Sequence, residues 1–169
     1  MKNLASNIFI LDSSGFYTGI YHSLYSKFYT TTFILKEIKH LLKSSITIDL
    51  LISSGALVIQ DPTKESIDKI ISTANLSGDI KKLSQADISI ISLAYQLNRT
   101  LISDDYSVLN VSNLLKIKTI SLGNRGIVTV RKWKNFCKTC NKQYAPTIQE
   151  CEICGNATKR NYKKFYASS

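Results

Sequence analysis

Thr100-Leu101-Ile102-Ser103-Asp104-Asp105-Tyr106-Ser107-Val108-Leu109-Asn110 carries a short apolar segment straight into two adjacent carboxylates, then into an amphipathic run ending near Lys116. An apolar stretch feeding a helix is the strand-to-helix turn of an α/β unit. In open α/β sheets ligands bind outside the carboxyl ends of the strands. Two acids at such a turn serve either as helix caps or as metal ligands.

The flanking sequence repeats the alternation. Asn7 to Leu11 is an apolar run of strand length closed by Asp12-Ser13-Ser14-Gly15, and Phe16 to Leu24 reads as a short helix. Phe28-Tyr29-Thr30-Thr31 reads as a second strand, and Thr32 as the N-cap of a helix from Phe33 to Leu42. Ala56 to Ile59 is a further strand, and Ser66 to Leu76 a helix stopped by Ser77-Gly78-Asp79. Ser84-Gln85-Ala86-Asp87 opens a helix to Leu97, and Lys118 to Leu122 supplies a last strand. Strands and helices alternating with short links predict a mainly parallel sheet covered on both faces. This α/β domain spans 1–122, a linker 123–134, a cysteine module 135–160 and a basic, aromatic tail 161–169. Gly123-Asn124-Arg125-Gly126 marks the boundary.

Composition supports one globular domain with a small appendage: 169 residues, 44% hydrophobic, are enough for an ordinary core. No apolar run approaches the ~20 residues that span a bilayer, and the N-terminus lacks a signal-peptide pattern. The expectation is a cytoplasmic protein with no membrane partner. Its net charge of +10 is uneven. Residues 1–125 hold 13 Lys/Arg against 10 Asp/Glu, whereas residues 126–169 hold 9 against 2. A dense positive field at one end suggests a polyanionic partner.

Cys137-x2-Cys140 and Cys151-x2-Cys154 are the only cysteines. Two such pairs across a short loop suit tetrahedral zinc at ~2.3 Å per sulfur. With four sulfurs filling the shell no position is left for water, so this zinc is structural and supplies folding energy to a module too small for its own core. The alternative, two disulfides, does not suit an intracellular chain. Lys132, Lys134, Lys159, Arg160, Lys163 and Lys164 lie among Trp133, Phe136, Tyr162 and Phe165. Basic side chains hold phosphates while rings stack on unpaired bases. Trp133 and Phe136 have a second reading, as a mini-core against the cysteine knuckles.

Taken singly, the acids are ordinary. Asp12 can cap the following helix, Glu37 can pair with a lysine one turn away, and Asp87 sits three residues after Ser84 in capping-box spacing. Jointly they are not. Asp12 and Asp104-Asp105 fall at the carboxyl ends of parallel strands, and Asp87 starts the helix leading into one of them. Clustered carboxylates repel unless a cation neutralises them. Oxygen ligands with open positions suit Mg²⁺ or Mn²⁺, and metal-activated water is then the nucleophile.

Asp12-Ser13-Ser14 after a strand, Tyr29-Thr30-Thr31 leading to Lys36-Glu37-Ile38, Leu83-Ser84-Gln85-Ala86-Asp87 and Ile102-Ser103-Asp104-Asp105 together resemble a PIN-domain nuclease. With Ser107-Val108-Leu109-Asn110-Val111, Trp133 and the four-cysteine ribbon, the chain resembles the short archaeal form of the ribosome-maturation PIN endonucleases. The resemblance implies that Asp12, Glu37, Asp87 and one of Asp104 and Asp105 serve catalysis and bind Mn²⁺ or Mg²⁺. It implies single-strand cleavage at the 3′ end of small-subunit (16S-type) precursor rRNA, in the setting of the pre-ribosomal small subunit and its assembly factors. The family usually has threonine where Ser103 stands, and serine keeps the hydroxyl. Two competing readings are a toxin-type PIN ribonuclease, which normally lacks a ribbon, and a non-catalytic RNA-binding assembly factor.

Overall fold

Asn7–Leu11 forms β1 because its apolar side chains can be covered from both sides, and Ile10 and Leu11 are fully buried. The computed structural model describes residues 7–22, 26–41, 46–123 and 129–166. After β1 come α1 (Ser13–Tyr17), a 3-10 turn (Ile20–His22), β2 (Ser26–Thr30), α2 (Thr32–Leu41), α3 (Ile46–Ser53) and β3 (Leu57–Ile59). Then follow α4 (Lys64–Ser77), a second 3-10 turn (Ile80–Lys82), α5 (Gln85–Leu97), β4 (Thr100–Ile102), α6 (Tyr106–Leu114) and β5 (Thr119–Ile120). The five strands are parallel in the order β3-β2-β1-β4-β5. The expected parallel sheet flanked by helices is the observed fold. Among the described residues no helix is long and apolar enough to cross a membrane.

Four local readings change. The helix expected over Phe16–Leu24 is the five-residue α1 followed by a 3-10 turn, because Gly19 at φ 71° breaks the helical backbone. The cap of α2 is Thr31, not Thr32: its hydroxyl accepts from the Ile34 N–H at 3.4 Å. Thr32 is spent instead on Asp61, to which its N–H and hydroxyl donate at 2.9 and 2.7 Å. Helix α3 was not expected at all, its apolar run lacking a one-sided stripe. It leaves Ile46 and Leu50 exposed while burying Ile48.

The fourth change concerns the basic end. Thr129–Phe136 is strand β6 and Lys159–Tyr166 is strand β8, paired antiparallel along all eight residues, with β7 (Gln143–Tyr144) on the other side of β6. The stretches expected as a linker and a tail are therefore, from Thr129 and up to Tyr166, the two halves of one ribbon. Each supplies the backbone partners that the other lacks. Beyond Gly123, the boundary expected at Gly123–Gly126 lies outside the described residues.

Candidate carboxylate site and cysteine cluster

Strand order reverses between β1 and β4, so the crevice at their carboxyl ends is the topological switch point of the sheet. Asp12 leaves β1 there, and its N–H donates to the Ile102 carbonyl at 3.1 Å. Asp12 caps α1: Oδ1 accepts from the Ser13 N–H at 2.7 Å, and Oδ2 accepts from the Ser103 hydroxyl at 2.6 Å. The side chain is only 2% exposed. Burial pushes its carboxyl up to about 6, against the pull of the Ser103 and Ser13 hydrogen bonds. The charges of Asp87 and Asp105 add to the rise.

Asp87 completes a capping box at the start of α5. Its Oδ2 accepts from the Ser84 N–H at 2.7 Å, and its own N–H donates to the Ser84 hydroxyl at 3.1 Å. Desolvation raises its carboxyl and the Ser84 hydrogen bonds oppose this, while the charge of Asp105 contributes a further rise. Glu37, on the outer side of α2, is raised by desolvation and then by Asp87. One contact was not foreseen from sequence. The buried hydroxyls of Thr31 and Ser89 meet at 2.7 Å and hold the start of α2 against α5. Two threonines or serines far apart in sequence give no periodic signal that they will pair.

The two adjacent acids part company. Asp105 caps α6, with Oδ1 accepting from the Ser107 and Val108 N–H groups at 2.6 and 3.1 Å. Asp104 turns toward the end of β5. Its Oδ1 accepts from the Ser121 hydroxyl and the Leu122 and Gly123 N–H groups at 2.6, 2.8 and 2.9 Å. The Ser121 hydroxyl foremost holds its carboxyl below the usual range. The charge of Asp87 thus bears on both Asp12 and Glu37, and that of Asp105 on Asp12 and Asp87, while Asp104 is set by its own hydrogen bonds and partial burial. Ser103 bridges the group, donating to Asp12 while accepting from the Asp105 N–H at 3.1 Å.

In the ribbon, the four sulfurs lie within 4.8 Å of one another, the Cys137–Cys154 pair at 3.6 Å. A tetrahedral ion with ~2.3 Å bonds requires sulfur separations of roughly 3.8 Å. All four are free thiols rather than disulfides. The Tyr144 hydroxyl, 3.0 Å from the Cys151 sulfur, helps hold that thiol down to about 6, while Cys154 foremost pushes Cys140 up to about 12. Four sulfurs this close cannot all be thiolates without a cation between them. Among the described residues this is the group whose ligand atoms already converge on metal-binding distances.

Facing residues of β6 and β8 share a side of the ribbon. Trp133 with Tyr162 and Asn135 with Arg160 take the side toward the α/β domain, while Lys134 with Asn161 and Phe136 with Lys159 take the other. Trp133 neither joins the cysteine core nor stands free. Its Nε1 donates to buried Asp79 at 2.8 Å, and Arg160 lies 4.0 Å over its ring. Arg160 also donates to the Gly78 carbonyl, so this cation is committed to holding the two parts together. Lys163 is exposed on β8, and the side chains of Lys132 and Lys164 lie outside those described.

Residues 9–97 match the family described as the PIN domain of ribonuclease. The chain is 37% identical over 152 residues to Endoribonuclease Nob1 of Pyrococcus abyssi, which covers 89% of this chain and 91% of that one. The chain belongs to the Nob1-type PIN-domain ribonucleases. It is also 29% identical over 157 residues to Ribonuclease VapC1 of Thermoplasma acidophilum, covering 93% of this chain and 79% of the other. Similarity to the yeast 20S-pre-rRNA D-site endonuclease NOB1 is 33% over 86 residues, half of this chain (51%) but 18% of the yeast protein.

Proposed function

We propose that this PIN protein is a metal-dependent endoribonuclease that processes the 3′ end of small-subunit precursor rRNA. The observation that carries the reading is the placement of Asp12, Asp87 and Asp105 at the switch point, where their charges repel across a partly desolvated crevice. Such a group fits Mg²⁺ or Mn²⁺, which take carboxylate oxygens and relieve the repulsion. Asp12, Asp87 and Asp105 hold the cation, and Glu37 stands at the edge of the site. When bound, the cation supplies an activated water and offsets charge developing on the scissile phosphate.

The chain's own residues prepare that site. Ser103 fixes the Asp12 carboxylate through its 2.6 Å hydrogen bond, and Ser84 fixes Asp87. Amides at the start of α6 hold one oxygen of Asp105 and leave the other for the cation. The four cysteines hold zinc, which keeps the ribbon folded. Lys134, Lys159 and Lys163 contact the RNA backbone, on the substrate or on the pre-ribosomal particle.

The similarity to a VapC-named ribonuclease favours a second reading, a PIN ribonuclease without rRNA selectivity. One assay separates them: manganese-dependent cleavage of an RNA spanning the small-subunit 3′ end beside an unrelated single strand, with Asp12→Asn as control. Site-specific cuts in the first RNA alone, lost in the variant, support the proposal. Equal cutting of both RNAs supports the second reading, and equal activity in the variant overturns both.

A further inference from the structure

Where the ribbon meets the α/β domain there is a cleft of about 420 Å³, walled on one side by Ile80 and Lys81 and on the other by Pro146, Gln149 and Arg160. We infer that this cleft is a binding subsite for one unpaired nucleotide of the RNA, its base between Ile80 and Pro146 and its phosphate on Lys81. The inference rests on the RNA-cleaving reading above and adds a place where the strand is held beside the acids.

Four observations carry it. None of the eleven lining residues is acidic, while two are cations. Arg160 is held by the Gly78 carbonyl and the Trp133 ring, whereas Lys81 is exposed and, among the described residues, in no ion pair, which leaves its charge to meet an anion. Its walls combine half-buried apolar surface from Ile80 and Pro146 with the amide of Gln149, the mixture that a base requires: a flat apolar face and hydrogen-bonding edges. The cleft is also built rather than incidental. Gly78 lets the walls approach so closely that a Cβ there would lie 2.7 Å from Pro146, and the Trp133–Asp79 hydrogen bond fixes the same junction.

Its position ties it to the reaction. Lys81 precedes Asp87 by six residues, a span of at most ~20 Å even if fully extended. A strand anchored at Lys81 therefore reaches the carboxylates within a few nucleotides. The lysines on the opposite side of the ribbon are not needed for this contact.

The test uses the full chain with its zinc, no added divalent cation, and a short fluorescent oligouridylate as probe. Ala157, an exposed residue lining the cleft, is replaced by Phe to fill it, and Lys81 by Ala to remove its charge. Ala157→Phe should weaken binding about tenfold without changing the salt slope, as loss of one stacked base predicts. Lys81→Ala should reduce the slope of log affinity against log salt by about one. A photoreactive thiouridine probe should crosslink to the segment around Ile80–Lys81 or to that around Gln149. If the wild-type protein binds and cuts RNA while both variants bind as it does and crosslinks fall elsewhere, the subsite is refuted and the nuclease reading stands. If the wild-type protein neither binds nor cuts any RNA tested, that reading fails and the subsite fails with it.

Discussion

The indole N–H of Trp133 donates to Oδ1 of Asp79 at 2.8 Å, joining strand β6 to the turn after α4 through a carboxylate only 1% exposed. The other oxygen of Asp79 accepts from the Ser77 hydroxyl and from Asn110 on α6, each at 2.8 Å. A buried charge supplied with three donors is satisfied only while Trp133 stays docked. The four-cysteine ribbon is therefore seated on the PIN domain, and the two meet as one surface.

Trp133→Phe keeps the ring beneath Arg160 but leaves an oxygen of Asp79 without its donor. A loss of ~1–3 kcal/mol in stability is expected. Thermal unfolding with zinc content measured in parallel checks this. A melting temperature equal to wild type would show that the hydrogen bond contributes nothing.

Asp104 and Asp105 should separate under mutation. Asparagine caps a helix about as well as aspartate, so Asp105→Asn should leave stability nearly unchanged while abolishing cleavage. Asp104→Ala removes an acceptor serving three donors at Ser121, Leu122 and Gly123, all within reach of water, and should cost about 1 kcal/mol with cleavage retained. The opposite pattern in paired activity and unfolding measurements would transfer the metal-facing role to Asp104.

Asp12 gives a pH dependence of definite sign. Its carboxyl rises from 3.8 to about 6 on folding, so the native chain holds this proton more tightly than the unfolded chain. Stability from this group is full below about 3.8 and is lost as pH rises through about 6, by up to ~3 kcal/mol. Metal-free protein should therefore melt at lower temperature at pH 7 than at pH 5, and added Mn²⁺ should recover the difference. Asp12→Asn should flatten the profile, and Ser103→Ala should move it to higher pH because that hydroxyl opposes the rise.

Zinc removal should act locally at first. The ribbon's own core is Cys137, Tyr144 and Cys151 with Cys140 and Ile148 around it, too few residues to fold without the ion. A chelator should release one zinc per chain and abolish the ribbon's amide protection in hydrogen exchange while β1 and β4 stay protected. Retention of ribbon protection after metal loss would contradict a folding role for the cluster.

Much of this protein is written locally. Apolar runs of strand length, helical spacing and caps such as Ser84 with Asp87 depend only on neighbours a few residues apart, and these placed the parallel sheet and its helices. The two Cys-x2-Cys pairs were equally legible, since their spacing alone dictates which atoms can converge. The sequence also put Asp12 and the Asp104-Asp105 pair at strand ends. It could not divide that pair, because the division depends on Ser121, Leu122 and Gly123 arriving beside Asp104 from another strand. Nor could it show that the basic ends pair as β6 and β8, that Arg160 is held at a domain junction, or that Asp79 awaits an indole 54 residues away. Those are contacts between distant segments, and only the folded chain brings their donors and acceptors together.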